Sequence, residues 1–350
     1  MKILVIGGSG FIGPFIVREL VKQGHEAAVL HRGNAKFVPP GSVQRILSDR
    51  KNLGVHRKKF ERLAADAVID VILSDERQAK DLMENFRGVT ARVVALSSQD
   101  VYRAYGVLLG TEPGPPQPTP LTEESELRTK LHPYTPEQLR MAQAAFGWIT
   151  DDYDKIPVER TILNDPRLPG TVVRLPMVYG PGDPLHRLFP TIKRIVDGRS
   201  AILLEAKHGS LRLPRGYVEN VAAAVVLAAT SPKAAGRIYN IAMQEPLSEL
   251  EWAQKIGQAM GWKGQFISVP KDQAPKHIQT LMNTDQDWVV SSARIREELG
   301  FVDPVPLDVA LARSIEWERA NPPAVNSAQF DYAAEDAVLE QLRGQRVDQK

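Results

Sequence analysis

The sequence contains no cysteine, which excludes disulfides, thiolate zinc sites, iron–sulfur clusters and cysteine nucleophiles. It also lacks a long apolar run. The longest, Val221 to Ala229, falls far short of the roughly 20 residues a membrane-spanning helix needs, so no membrane association is expected. Neither sign of charge dominates: 44 Lys and Arg stand against 42 Asp and Glu, for a net charge of +2. Nucleic-acid binders usually concentrate basic charge, so a nucleic-acid partner is not expected. There is no internal repeat. Met1-Lys2 lead straight into a strand-like Ile-Leu-Val-Ile-Gly-Gly, without the apolar segment and cleavage site of a signal peptide. The expectation is a soluble, cytoplasmic chain with a small-molecule ligand and no metal.

What is present is a globular composition, 43% hydrophobic and 25% charged over 350 residues, long enough for one large or two medium domains. Short β-branched runs at Ile3–Ile6, Glu26–Leu30, Ala67–Ile72, Arg92–Leu96 and Thr171–Leu175 read as buried strands. Amphipathic stretches at Phe11–Gln23, Arg57–Leu63, Arg77–Phe86 and about Asp151–Leu163 read as the helices between them. This alternation predicts an α/β fold, a doubly wound parallel sheet covered on both faces. From Tyr105 to Pro136 the chain is rich in proline and reads as a long irregular loop, a substrate rim or a mobile segment. Residues 1–176 are expected to form the sheet domain and 177–320 mainly a smaller mixed α/β lobe with returns to the core. Residues 321–350 are expected to be an appended helix or tail.

Between the first strand and first helix, Gly7, Gly10 and Gly13 stand three apart. Gly7 suits a tight turn, Gly10 a close approach to a pyrophosphate, and Gly13 close packing of helix on sheet. With Phe11 and Ile12 they form a candidate dinucleotide-binding turn. NAD-preferring folds carry a carboxylate at the end of the second strand for the ribose hydroxyl. Here that strand ends in His31-Arg32, which suits a 2′-phosphate, so NADP is expected over NAD.

The Gly-x-x-Gly-x-x-Gly spacing, from Met1 on through about Trp317, resembles the extended short-chain dehydrogenase/reductase superfamily, which includes sugar-nucleotide epimerases and dehydratases. The resemblance implies a Rossmann domain and hydride transfer on a sugar, nucleotide-sugar or other hydroxylated small molecule. It places Asp49, with Arg50 beside it, near the adenine. In Ser97-Ser98-Gln99-Asp100-Val101-Tyr102 it makes Ser98 the serine that binds the reacting oxygen, with Ser97 by the cofactor and Gln99 and Tyr102 by the substrate. In Arg174-Leu-Pro176-Met-Val178-Tyr-Gly-Pro it sets Pro176 and Val178 against the nicotinamide, with His186 and Arg187 following where substrate docks. Arg212 and Arg215 match arginines that bind substrate phosphate. Such relatives often dimerise through two helices, so a homodimer is the assembly the resemblance allows.

The superfamily's working pair is Tyr-x-x-x-Lys on one helix, where the lysine lowers the phenol's pKa and holds the nicotinamide ribose. Lys155 and Glu159 match the lysine and a glutamate four residues on, but Asp151 stands where the tyrosine belongs. Tyr153, two positions from Lys155, is roughly 200° around a helix and is expected on the opposite face. Three readings stay open. Asp151 carries the proton, with its carboxyl raised by burial. A phenol enters from the proline-rich loop, Tyr134 or Tyr102. Or hydride chemistry is lost and only the cofactor pocket is kept. In that last form the chain resembles chloroplast stem-loop RNA-binding relatives as well as uncharacterised epimerase-like proteins, and would sense a cofactor or bind RNA. Its basic cluster, His56-Arg57-Lys58-Lys59, has Phe60 alone as a stacking platform, which is thin for RNA.

Overall fold

Aliphatic and β-branched runs, each followed by a turn and a helix, assemble into a parallel sheet buried on both faces. The computed structural model describes residues 1–33 and 39–347. The first strands are β1 (Lys2–Ile6), β2 (Glu26–His31), β3 (Gln44–Leu47), β4 (Ala67–Asp70), β5 (Arg92–Ser98) and β6 (Gly170–Leu175). Further along come β7 (Met177–Tyr179), β8 (Ala201–Glu205), β9 (Arg215–Tyr217), β10 (Ile238–Asn240) and β11 (Gln265–Val269). Seven strands form the main sheet in the order β3-β2-β1-β4-β5-β6-β10, every pair parallel. The order reverses direction beside β1, and the crevice at the carboxyl ends of strands flanking such a point is where doubly wound sheets bind ligands.

Side-chain alternation along each strand feeds two cores. Ile3 and Val5 pack with Ile16 and Val17 of α1 (Gly13–Lys22) and with Val221 and Val225. Leu4 and Ile6 face the other way, against Phe60 of α2 (Arg57–Leu63), Leu82 of α3 (Glu76–Phe86) and residues Val158 and Ile162. The chain between β5 and β6 adds α4 (Arg103–Leu108), α5 (Pro136–Phe146) and α6 (Lys155–Leu163). The smaller lobe contains α7 (Phe189–Val196), α8 (Ala206–Ser210), and the parallel pairs β7–β9 and β8–β11. Then α9 (Val218–Thr230), rich in Ala and Val, returns to the sheet and packs on α1. Last come α10 (Glu249–Ala259), α11 (Ala293–Leu299), α12 (Leu307–Ala320) and α13 (Tyr332–Val347).

Three local expectations need correction. The helix expected from about Asp151 begins at Lys155 instead. The expected loop from Tyr105 encloses the end of α4, and its remainder is pinned. Arg128 donates to the Asp100 carbonyl and to Asp154, Leu121 bonds Val289 through the backbone, and Gln117 N–H donates to Gln286. Proline excludes a regular element there, but side-chain anchors supply the order that a backbone ladder would. The α5 helix, starting at Pro136 behind a Thr135–Gln138 capping box, was not expected from the sequence pattern.

The terminal helix α13 is docked through a buried carboxylate. Glu335 accepts from Arg194 Nη2 at 2.6 Å and Nε at 3.1 Å, and His277 Nε2 lies 2.9 Å away. Leu339 packs beneath it with Leu203 and Val269 of the smaller lobe. Glu335→Ala strands the buried Arg194 cation, and removing one partner of such a pair costs about 3 kcal/mol or more. The expected outcome is a lower urea midpoint and early tryptic cleavage within α13, read by mass spectrometry; an unchanged digestion pattern would contradict the docking role.

Candidate active site

The glycine turn lies at the carboxyl end of β1. Gly7 sits at φ +83°, a left-handed conformation that a side chain would strain. A Cβ on Gly13 would lie 2.3 Å from the Gly7 carbonyl oxygen, so only glycine lets α1 start this close to the turn. Gly10 is different: a Cβ there would meet nothing nearer than 4.0 Å, and the bare backbone faces an open cleft of about 310 Å³. Gly7, Gly10, His31, Arg32, Asp49 and Arg50 all border that cleft. The start of α1 has no side-chain cap, which leaves N–H groups for an anion. His31 Nδ1 accepts from Gly33 N–H at 3.1 Å, while its Nε2 is buried with no partner. Burial first, and the nearby Arg45 second, push the His31 pKa down, so the ring is a neutral donor. These residues fit a dinucleotide.

A second cavity of about 590 Å³ continues from this cleft, with Phe146, Trp148 and Ile149 bordering both. Its polar end contains Ser97, Ser98, Asp100, Tyr134, Tyr153 and Lys155, and Phe11, Ile12, Pro176 and Val178 also line it. Tyr153 is here because α6 cannot reach back to it as a helix. Pro157 has no N–H to bond the Tyr153 carbonyl, and its ring would clash with that carbonyl if residues 151–157 were helical. Proline is tolerated in the first turn, so the helix starts at Lys155, capped by Asp154, whose Oδ1 accepts from Ile156 N–H at 2.9 Å. The residues ahead of it are not helical, so the angle expected for Tyr153 does not apply. Instead the phenol turns into the cavity beside Lys155, whose Nζ lies 5.7 Å from its ring centre.

Asp100 organises this end. Its Oδ2 accepts from Tyr153 OH at 2.9 Å and from Tyr134 OH at 3.0 Å, and the two rings stack at 5.3 Å. Its Oδ1 is buried without a partner. Burial raises the Asp100 pKa, against the opposing pull of Arg128, the two phenols and Lys155. Burial and then the Asp100 charge raise both Tyr153 and Tyr134, while a hydrogen bond with Ser98 works to lower Tyr153. The Lys155 ammonium donates to the carbonyls of Leu73 and Leu96, and burial brings its pKa down to about 8.

Other expected site residues are placed elsewhere or occupied. Asp151 is on the surface, accepting from Gln143 at 2.9 Å, away from the cavity lining. Gln99 and Tyr102 are fully buried. Gln99 donates to the Ile241 carbonyl at 2.7 Å, and Tyr102 to Asn240 at 2.7 Å. Arg50 spends its guanidinium on Asp70, at 2.8 Å, and on the Gln78 carbonyl. Asp49 accepts from Lys51 N–H and starts the short turn that follows. His186 pairs with Glu318 at 2.7 Å and stacks on Trp317, outside the cavity lining. Arg187 does line the cavity, but donates to Asp183 at 2.6 Å and to the Val178 carbonyl. Arg212 is exposed, and Arg215 pairs with Glu249 over the Trp252 ring; neither lines the cavity. In the basic cluster, Arg57 donates to the Glu84 and Asn85 carbonyls and Phe60 is buried against Phe86, leaving no stacking platform there.

With the cleft in view, the relationships become informative. The model of the NAD dependent epimerase/dehydratase family matches residues 3–242. The chain belongs to that family. Membership makes it a nicotinamide-dependent enzyme with a Rossmann domain. This family member is 25% identical over 312 residues to 2′-dehydrokanamycin reductase of Streptomyces kanamyceticus, covering 87% of this chain and 78% of that protein. It is 28% identical over 280 residues to 2-alkyl-3-oxoalkanoate reductase of Stenotrophomonas maltophilia, covering 75% of this chain and 76% of that one. Its fold is similar to that of UDP-glucuronic acid 4-epimerase from Bacillus cereus, with a TM-score of 0.65 at 16% identity, over 91% of this chain and 99% of that one. Among the described residues, no helix of this family member is long and apolar enough to cross a membrane.

Lys155 gives this site a pH signature. It loses its proton near pH 8 when folded but near 10.5 when unfolded, so between those values the unfolded chain binds more protons. Stability from this group therefore rises with pH, by up to about 1.4 kcal/mol per unit, until tyrosines of the unfolded chain ionise near pH 10. Urea midpoints of the ligand-free protein should climb between about pH 8 and 10, and Lys155→Met should remove that climb. Identical slopes in the two proteins would refute the buried, shifted amine.

Proposed function

We propose that this enzyme is an NADP-dependent oxidoreductase that reduces or oxidises a carbonyl or hydroxyl carbon of a small molecule, with Tyr153 exchanging the proton at the substrate oxygen. The observation that carries the reading is the convergence of Tyr153, Ser98 and Lys155 at the end of the cavity that opens onto the glycine turn. When bound, the nicotinamide supplies or takes the hydride at the substrate carbon. The rest is work for the chain's own side chains. Ser98 Oγ accepts from Asp100 N–H at 3.2 Å, which directs its own proton away from that backbone and toward the substrate oxygen or the Tyr153 phenol. Tyr153 hands its proton to the oxygen as negative charge grows there, or takes one in the reverse direction. Asp100, accepting from both phenols on one oxygen, orients the Tyr153 hydroxyl at the end of the cavity. Lys155, released from the Leu73 and Leu96 carbonyls, is placed to hold the ribose. Both relatives compared above are named reductases, which favours carbonyl reduction as the working direction.

The NADP preference rests on β2 ending at His31 with Arg32 directly after it, both on the cleft, in place of the carboxylate that NAD-preferring folds carry at that strand end. His31 is held neutral, so the charge that would meet a 2′-phosphate is that of Arg32. A charge-assisted hydrogen bond to phosphate contributes about 1.5 kcal/mol or more, so Arg32→Ala should weaken NADPH about tenfold or more and leave NADH unchanged, by fluorescence titration. Equal losses for both cofactors would point to NAD. For the chemistry, Tyr153→Phe should lower kcat by about 100-fold or more with NADPH affinity kept, while Asp151→Ala stays close to wild type. The opposite ranking would return the proton to Asp151.

A further inference from the structure

The cavity beside Tyr153 is lined mainly by apolar side chains. Its apolar walls include Tyr105 on α4 and Leu109 just after it, Met141 and Phe146 on α5, and Met282 and Trp288 from the segment before α11. Trp288 and Tyr105 pack ring against ring at 4.6 Å. The helix α5 is the roof: none of its residues is fully buried, and Met141 is 68% exposed. A thioether, phenyl and indole surface of this kind lowers its energy by covering apolar carbon, and it offers few partners to the several hydroxyls of a sugar.

The charges point the same way. Among the described residues, the charged side chains lining the cavity are Asp100, Lys155 and Arg187. Lys155 lies at the reacting end with the Leu73 and Leu96 carbonyls, and Arg187 is neutralised by Asp183 at 2.6 Å. The two arginines that would receive a substrate diphosphate, Arg212 and Arg215, are outside the lining, and Arg215 is committed to Glu249. A diphosphate placed here would face apolar walls and the Asp100 carboxyl, losing its hydration with no free guanidinium in return.

We propose that the site takes a neutral, mainly apolar ketone or alcohol, an alkyl or aryl chain lying between α4, α5 and Trp288 with its oxygen at Ser98 and Tyr153. This rests on the oxidoreductase reading above, but its test does not need turnover. Trp148 and Trp288 both line the cavity, so tryptophan emission reports its occupation. The full-length protein with saturating NADP+ is titrated with 4-phenylbutan-2-one, nonan-2-one and UDP-glucose, each repeated by calorimetry. Both ketones should bind saturably and at least about tenfold more tightly than UDP-glucose. Met141→Asp, a change at an exposed roof position, should weaken both ketones about tenfold while NADPH affinity and the melting curve stay put. Tighter binding of UDP-glucose, no saturable response to either ketone, or indifference to Met141→Asp overturns the proposal. Ketone binding in a protein that fails to bind NADPH would leave the apolar site standing and overturn the cofactor assignment instead.

Discussion

The chemistry of this site depends on where α6 is allowed to begin. Pro157 is costly in a helix interior and sits in the first turn, and Asp154 caps that turn by accepting from Ile156 N–H just ahead of it. A residue two places before Lys155 then leaves the helix surface entirely. Tyr153 enters the cavity from a turn, its N–H bonded back to the Thr150 carbonyl, next to a lysine it could not have faced on a continuous helix. The same capping carboxylate receives Arg128 and the His132 N–H, which brings the proline-rich segment and Tyr134 to the site. One ring thus decides both the approach of the phenol and the closure of the wall behind it.

Beneath the site, a buried set of polar groups fixes what the start of α6 positions. Glu159 takes two hydrogen bonds from Arg174, at 2.9 and 2.7 Å, and a third from Ser97. Arg174 continues to Tyr102 OH at 2.9 Å, and Tyr102 to Asn240. The chain of bonds ties α6 to the carboxyl ends of β5, β6 and β10. In a desolvated setting each bond is directional and costly to break, so Ser98 and Lys155 sit on a frame with little freedom to drift. Burial shifts Tyr102 itself to a pKa of about 12, as suits a phenol that holds structure together.

The sheet, its direction and the cofactor turn were legible because each has a local signature: short β-branched runs alternating with amphipathic helices, and three glycines between a strand and a helix. Ser98 and Lys155, singled out by short motifs, both line the cavity. What failed to transfer was direction. Gln99, Tyr102 and Arg215 occupy motif positions, yet their side chains turn inward to Ile241, Asn240 and Glu249, partners tens to hundreds of residues away that no window reveals. Arg50 is taken by Asp70 for the same reason. Asp100 escaped notice because a carboxylate in a turn looks ordinary until two phenols are seen on it. Tyr153 does not follow the helical angle because Pro157, four residues downstream, keeps α6 from extending back over it.

The roof helix has one more consequence. Its start is closed by its own capping box, its end by Gly147 in a left-handed turn, and no residue of it is fully buried. It draws its order from itself more than from the sheet it overhangs. Substitutions on its inner face would reshape the cavity while leaving the two cores of the central sheet untouched, whereas Trp288 and Leu108, on the walls opposite, belong to a buried cluster of their own. Of the walls around the cavity, the roof is therefore the one whose side chains can be exchanged at least cost to the fold.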